Sequence, residues 1–132
     1  MLLDTNVVLY ALLEDGEKSP RARAALAVGG HVSVQTLNET THVLRKRKVA
    51  LDDVERFIHA VKALVDVLPV TAEVYDAGWR IVRRYGLSTY DAMIVGCAYA
   101  NGIDTVLSED MQHGLAVFDS VTVRNPFREA LG

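Results

Sequence analysis

Short apolar runs, each ending on a polar residue or a turn and separated by segments with helical spacing, constrain this chain more than any other feature. Leu2-Leu3 runs into Asp4, residues 31–34 alternate before Gln35, and residues 103–107 run into Ser108. Residues 65–70 form a further run with Pro69 near its end, the place a strand tolerates proline. Residues 120–123 make the last run, before Asn125-Pro126-Phe127. Between these five predicted strands lie predicted helices over 7–13, 21–28, 35–48, 51–64, 71–85 and from Ser88 or Thr89 to 101. Gly29-Gly30, Gly86 and Gly102 supply helix stops. Ser19-Pro20 reads as an N-cap followed by proline at the first helical position, and 110–113 as one further helical turn. Strands that alternate with helices imply a parallel sheet covered on both faces, with right-handed crossovers. The expected fold class is therefore α/β: a three-layer α/β/α sandwich around five short parallel strands.

At 132 residues the chain suits a single domain over 1–132 that buries roughly two-thirds of its unfolded surface. Half the residues are hydrophobic and 23% are charged, which argues against disorder. The formal net charge of −3 excludes a whole-surface electrostatic grip on nucleic acid and leaves room for a local basic patch. The single cysteine, Cys97, sits among Ile94, Val95, Ala98 and Tyr99 and reads as a buried thiol. A reducing, cytoplasmic setting fits that usage. Asp4 interrupts the opening apolar run, so no secretory signal is expected there. No apolar run approaches the ~18 residues of a membrane span.

Four acids take comparable places in this layout. Asp4 ends the first strand, Glu39 lies in the first turn after the second, Asp91 opens a helix, and Asp110 follows the fourth strand. Each has small polar neighbours: Thr5 and Asn6, Asn38, Ser88 and Thr89, and Ser108. In open α/β sheets the crevice outside the carboxyl ends of the strands is where ligands sit. Hard divalent ions such as Mg²⁺ and Mn²⁺ prefer carboxylate and water oxygens, acidify a bound water and neutralise charge on an in-line phosphate transition state. Such chemistry needs no side-chain nucleophile, in keeping with the absence of GxSxG, GxxxxGK[ST], HExxH and cysteine pairs. A plainer reading competes. Thr36 with Glu39, and Ser88 with Asp91, have capping-box spacing, while Asp4 and Asp110 suit turns or N-caps. Clustered carboxylates without a cation repel one another, so a metal would relieve a real cost.

Leu3-Asp4-Thr5-Asn6, Glu39, Tyr90-Asp91-Ala92, Leu107-Ser108-Glu109-Asp110 and Asn125-Pro126-Phe127, in that order and spacing, resemble the PIN domain. The length and element order look most like a VapC-type toxin ribonuclease of a type II toxin–antitoxin system. The resemblance covers nearly the whole chain. It implies a sheet of order 3-2-1-4-5 and a Mg²⁺ or Mn²⁺ cofactor. It also implies an endoribonuclease that hydrolyses RNA phosphodiester bonds with a metal-activated water, leaving a 5′-phosphate and a 3′-hydroxyl. Its implied partners are RNA, a cognate antitoxin protein and a second copy of the chain in a homodimer. Matched residue by residue, the metal-binding and catalytic acids are Asp4, Glu39, Asp91 and Asp110, with Thr5, Asn6 and Ser108 in support. Glu109 offers a second carboxylate beside Asp110; the Ser-Glu-Asp pattern favours Asp110. The same scaffold also serves housekeeping nucleases of RNA processing, or RNA binding without catalysis.

Arg45, Lys46, Arg47 and Lys48 form the one dense basic run. It suits either a solvated helix end, where cations meet the helix dipole, or a rim that tracks RNA phosphates. Arg80, Arg83 and Arg84 form a weaker second candidate. His31, His42, His59 and His113 lack metal-ligand spacing, with His113 nearest an acid. Trp79 and the tyrosines read as core or dimer packing, and Tyr90 beside Asp91 as a candidate pocket wall. Two rival classes fit less well. A haloacid-dehalogenase-like phosphatase would want a second acid where Asn6 stands. A phosphoacceptor receiver would want a lysine after the last strand, and the last lysine here is Lys62.

Overall fold

The computed structural model describes residues 1–128. Twelve elements follow in chain order: β1 (Leu2–Leu3), α1 (Thr5–Leu12), α2 (Lys18–Val28), β2 (His31–Ser33), α3 (Val34–Lys46), α4 (Leu51–Leu64), β3 (Asp66–Leu68), α5 (Ala72–Tyr85), α6 (Thr89–Ala100), β4 (Thr105–Leu107), β5 (Ala116–Val117) and β6 (Val121–Arg124). The sheet order is β3-β2-β1-β4-β6-β5. All pairings are parallel except β5 with β6. The implied order 3-2-1-4-5 is present, and a sixth strand extends it. The chain leaves β1 towards β2 and β3, then returns to β4 on the other side, so β1 and β4 flank the switch point.

Alternation along the strands builds the two faces. Leu2 and Val106 pair and pack with the α5–α6 side, whereas Leu3 and Leu107 pair and pack with the α1, α2 and α4 side. Ala92, Ile94, Val95, Cys97 and Ala98 fill the first core and Val7, Val8, Leu26 and Val61 the second. Cys97 is fully buried, and burial pushes its thiol up. Glycines bring α5 and α6 together. A Cβ placed on Gly96 would lie 2.7 Å from the backbone nitrogen of Gly78, and one on Gly78 2.5 Å from Met93 Sδ.

Several sequence expectations shift. Helix α1 starts at Thr5 rather than Val7, because the Asp4 carboxylate accepts the Thr5 N–H and caps it. Helix α2 starts at Lys18. Ser19 does not cap it; its buried hydroxyl accepts the Asp15 N–H and donates to the Leu13 carbonyl, which holds the preceding turn. Ser33, not Thr36, caps α3, because its hydroxyl accepts the Thr36 N–H. Strand β2 therefore stops one residue early, and Glu39 falls in the second turn of α3 rather than its first. Helix α3 ends at Lys46, and Lys48 adopts a left-handed φ of 61° that cannot continue a helix. Strands β3 and β4 are shorter than their apolar runs. Residues 110–113 form bends and a turn rather than a helix. The last expected strand is β6, shifted one residue and paired with the unforeseen β5.

Candidate active site

The capping role of Asp4 is one half of its bonding. Asp4 is 5% exposed. Its backbone N–H extends the β1–β4 ladder to the Leu107 carbonyl, and one carboxylate oxygen accepts the Thr5 N–H at 2.7 Å. The other accepts the Ser108 hydroxyl at 2.7 Å, across the switch point. Ser108 is itself fully buried and also accepts the Asp110 N–H at 3.2 Å. One hydroxyl thus ties the acid after β1 to the loop after β4.

Burial raises Asp4 to about 6 from an ordinary 3.8, with the Ser108 and Thr5 bonds pulling down and the charges of Asp91 and Asp110 pushing up. Asp91 is also raised, first by burial, against its Ser88 hydrogen bond and with the charge of Asp110 adding to the rise. Asp4, Asp91 and Asp110 therefore stand within one another's field. Ser88 caps α6 through the Asp91 N–H, so Asp91 serves the helix start as well.

Glu39 is bonded along its own helix. It accepts a hydrogen bond from Gln35 Nε2 at 2.8 Å, one turn earlier on α3, and the same amide reaches the Tyr90 carbonyl at 3.3 Å. Gln35 thereby links the fourth acid to the start of α6. Among the described residues no three His, Cys, Asp or Glu side chains close into a ready-made ion cage. The donor set is nevertheless all oxygen and electrostatically strained, which suits a hard divalent cation completed by water and phosphate.

Glu109 is bonded to α1 and the start of α2. It accepts the Tyr10 hydroxyl at 2.7 Å and pairs with Lys18 Nζ at 2.7 Å. Burial pushes its carboxyl up, but these two bonds outweigh it and hold it below the usual range. Lys18 lies over the Tyr10 ring, which meets Phe127 edge-on at 5.1 Å. The Glu109 N–H donates to Asn6 Oδ1 at 3.3 Å, while the buried Asn6 Nδ2 has no partner among the described residues. Thr5 donates to Thr36 at 3.5 Å, a polar contact between α1 and α3, and the fully buried Thr40 hydroxyl has no partner among the described residues. Tyr10, Lys18, Gln35 and Thr36 were invisible as site residues. Only Gln35 left a signal, its four-residue spacing from Glu39.

The basic run is divided by its helix. Arg45, Lys46, Arg47 and Lys48 are all exposed and form no ion pair among the described residues. Arg47 joins Asn6, Leu9, Tyr10, Leu13, Glu14 and Asp15 around one cleft of about 360 Å³. Arg45 and Lys46 border another with Asn38, Thr41 and His42. Arg80 and Arg84 lie over the rings of Tyr99, Tyr85 and Phe118. His113 accepts the Asn125 N–H and His31 faces Asp66 at 3.9 Å. Trp79 is 49% exposed and so is no core residue.

The model of the PIN domain matches residues 1–116. The chain belongs to the PIN domain family. Among solved structures, a toxin–antitoxin complex from Klebsiella pneumoniae superposes with a TM-score of 0.72 at 18% identity, covering 95% of this chain and 96% of that one. VapBC2 from Rickettsia felis, bound to a DNA fragment from its promoter, gives 0.72 at 15%, covering 94% and 96%. The Mycobacterium tuberculosis toxin VapC20, which cleaves the sarcin-ricin loop, gives 0.64 at 21%, covering 83% and 90%. These likenesses establish a shared PIN fold. No curated protein sequence matches the chain. No helix among the described residues is long and apolar enough to cross a membrane.

Proposed function

We propose that this PIN domain is the toxin of a toxin–antitoxin module, a Mg²⁺- or Mn²⁺-dependent endoribonuclease that acts in the cytoplasm. The observation that carries the reading is the tie through Ser108. It draws a buried, charge-resisting Asp4 and the Asp110 loop together at the switch point, within the field of Asp91. A capping role alone gives no reason to bury Asp4 among other acids.

In this reading Asp4, Asp91 and Asp110 hold the ion, with Glu39 reaching the same rim from α3. A divalent ion bound there supplies charge neutralisation at phosphate and a more acidic water. The chain's own residues do the rest. Ser108 orients Asp4, and the arginines and lysines of residues 45–48 attract the RNA backbone. The fold shared with toxins of solved toxin–antitoxin complexes supports a cognate antitoxin partner. Tyr75 and Trp79, half exposed and one turn apart on α5, support a homodimer contact.

The test is cleavage of RNA with Mg²⁺ or Mn²⁺ added, its loss with chelator, and mapping of the product ends. Activity that survives chelation, or ends other than 5′-phosphate and 3′-hydroxyl, would refute the mechanism.

A further inference from the structure

Two grooves run into one another along a single stripe of α3. The first, about 490 Å³, is lined by Gln35, Asn38, Glu39, His42 and Val43, with Tyr90 as its far wall. The second, about 430 Å³, is lined by Asn38, Thr41, His42, Arg45 and Lys46. Asn38 and His42 belong to both. Residues 35, 38, 39, 42, 45 and 46 recur every three or four positions, so they share one helix face. At 1.5 Å per residue that face is roughly 16 Å long.

Its two ends differ chemically. Tyr90 immediately precedes Asp91 and is 68% exposed, a flat ring presented to solvent beside the acids. Its backbone carbonyl is held by Gln35, which fixes the start of α6 against α3. At the other end Arg45 and Lys46 are exposed and unpaired with any acid among the described residues. Between them lie the amides of Gln35 and Asn38 and the His42 imidazole, which offer donors and acceptors, and the Glu39 carboxylate, which only accepts. An aromatic platform followed by polar groups and then by cations is the order of parts that a single nucleic-acid strand requires. A base stacks, its edge meets amides, and the next phosphates meet positive charge. A duplex keeps its bases stacked inside and has nothing to offer Tyr90.

We infer that this stripe of α3 is a subsite for single-stranded RNA, with one unstacked base on Tyr90 next to the acids and the adjoining phosphates on Arg45 and Lys46. The inference rests on the nuclease reading for its choice of RNA. It adds the strand's path and the requirement for an unpaired base.

The experiment measures binding without cleavage. A fluorescein-labelled, unstructured oligouridylate is titrated with the full chain in chelator, over a range of salt concentrations, and read by anisotropy. Tyr90→Ala should weaken binding about tenfold and Tyr90→Phe should restore it, as stacking demands. RNA with abasic residues should bind Tyr90→Ala and the unsubstituted chain alike. Arg45→Gln with Lys46→Gln should reduce the slope of log affinity against log salt by about 1.4. Equal binding of abasic and intact RNA by the unsubstituted chain would overturn the inference, as would equal competition by a duplex of the same length. A polyglutamate peptide that displaces the RNA with the same Tyr90 dependence would also overturn it, in favour of an acidic protein partner. The two readings separate in one preparation. A chain that binds through Tyr90 but leaves RNA intact with Mn²⁺ keeps the groove and loses the nuclease. Cleavage without Tyr90 dependence does the reverse.

Discussion

Asp4→Asn should make the metal-free protein more stable and catalytically dead. Burial holds the Asp4 carboxyl at about 6 against 3.8. An acid whose pKa rises on folding contributes its full stability below the unfolded value and loses it as pH climbs through the folded value. About two units correspond to about 3 kcal/mol that is absent at pH 8 and present towards pH 4. Asparagine removes that titration and remains a good N-cap for the Thr5 N–H. Losing the carboxylate's attraction to the α1 dipole subtracts up to about 1 kcal/mol. The net gain of about 2 kcal/mol should lift the pH 8 melting temperature by roughly 6 °C in chelator, and the two proteins should converge near pH 4. With Mn²⁺ at about a hundred times its Kd, the unsubstituted chain should gain about 2.7 kcal/mol and the variant little. Calorimetric melts at both pH values, with and without Mn²⁺, read all of this alongside a cleavage assay. A variant that melts lower than its parent at pH 8 in chelator, or that still cleaves RNA, would refute the account of Asp4 as a charge waiting for a cation.

Three further expectations follow from the same geometry. Ser108→Ala removes a bond that lowers the Asp4 carboxyl, so half-maximal Mn²⁺ binding should need a higher pH, and a pH titration of Mn²⁺ affinity that does not move would exclude the tie. Tyr10→Phe deletes one bond to Glu109, which should cost about 1 kcal/mol in urea denaturation; cleavage should fall further than that, since Glu109 anchors the loop carrying Asp110, and unchanged kcat would discount the anchoring. Gly96→Ala pushes a methyl into the backbone of Gly78 and should destabilise the fold by about 2 kcal/mol or more, visible as a lower urea midpoint.

The alternation that defines the fold could be read directly because each of the five expected strands carries its own apolar run. Leu2-Leu3 and Val106-Leu107 divide between the two cores as a period of two requires. Strand β5 could not be read, since Ala116-Val117 has too few residues for a period and exists by pairing with β6. Cap choice was a competition that spacing leaves undecided. Ser33 stands where the strand stops, so it captures the Thr36 N–H and displaces Glu39 from the first turn. The four acids were nameable one at a time, but the mutual field of Asp4, Asp91 and Asp110 was not, because it depends on how the sheet returns from β3 to β4. The contact of Lys18 with Glu109 joins distant parts of the chain and leaves no local pattern. The basic run looked uniform, yet buried Leu44 fixes the rotation of α3 and sends Arg47 to one cleft and Arg45 and Lys46 to another.

The meeting of Gly78 with Gly96 has a mechanical consequence. With no side chains between them, α5 and α6 approach backbone to backbone, and an inward displacement of one meets the main chain of the other at once. Tyr75 and Trp79 lie on the outer side of that pair, and Asp91 lies in the first turn of α6. A body that pressed α5 inward would therefore bear on Asp91's helix as well, as on the far end of a lever. Hydrogen exchange would register the linkage directly: the amides of the two helices should slow together when such a body binds, and protection confined to α5 would show that the lever slips.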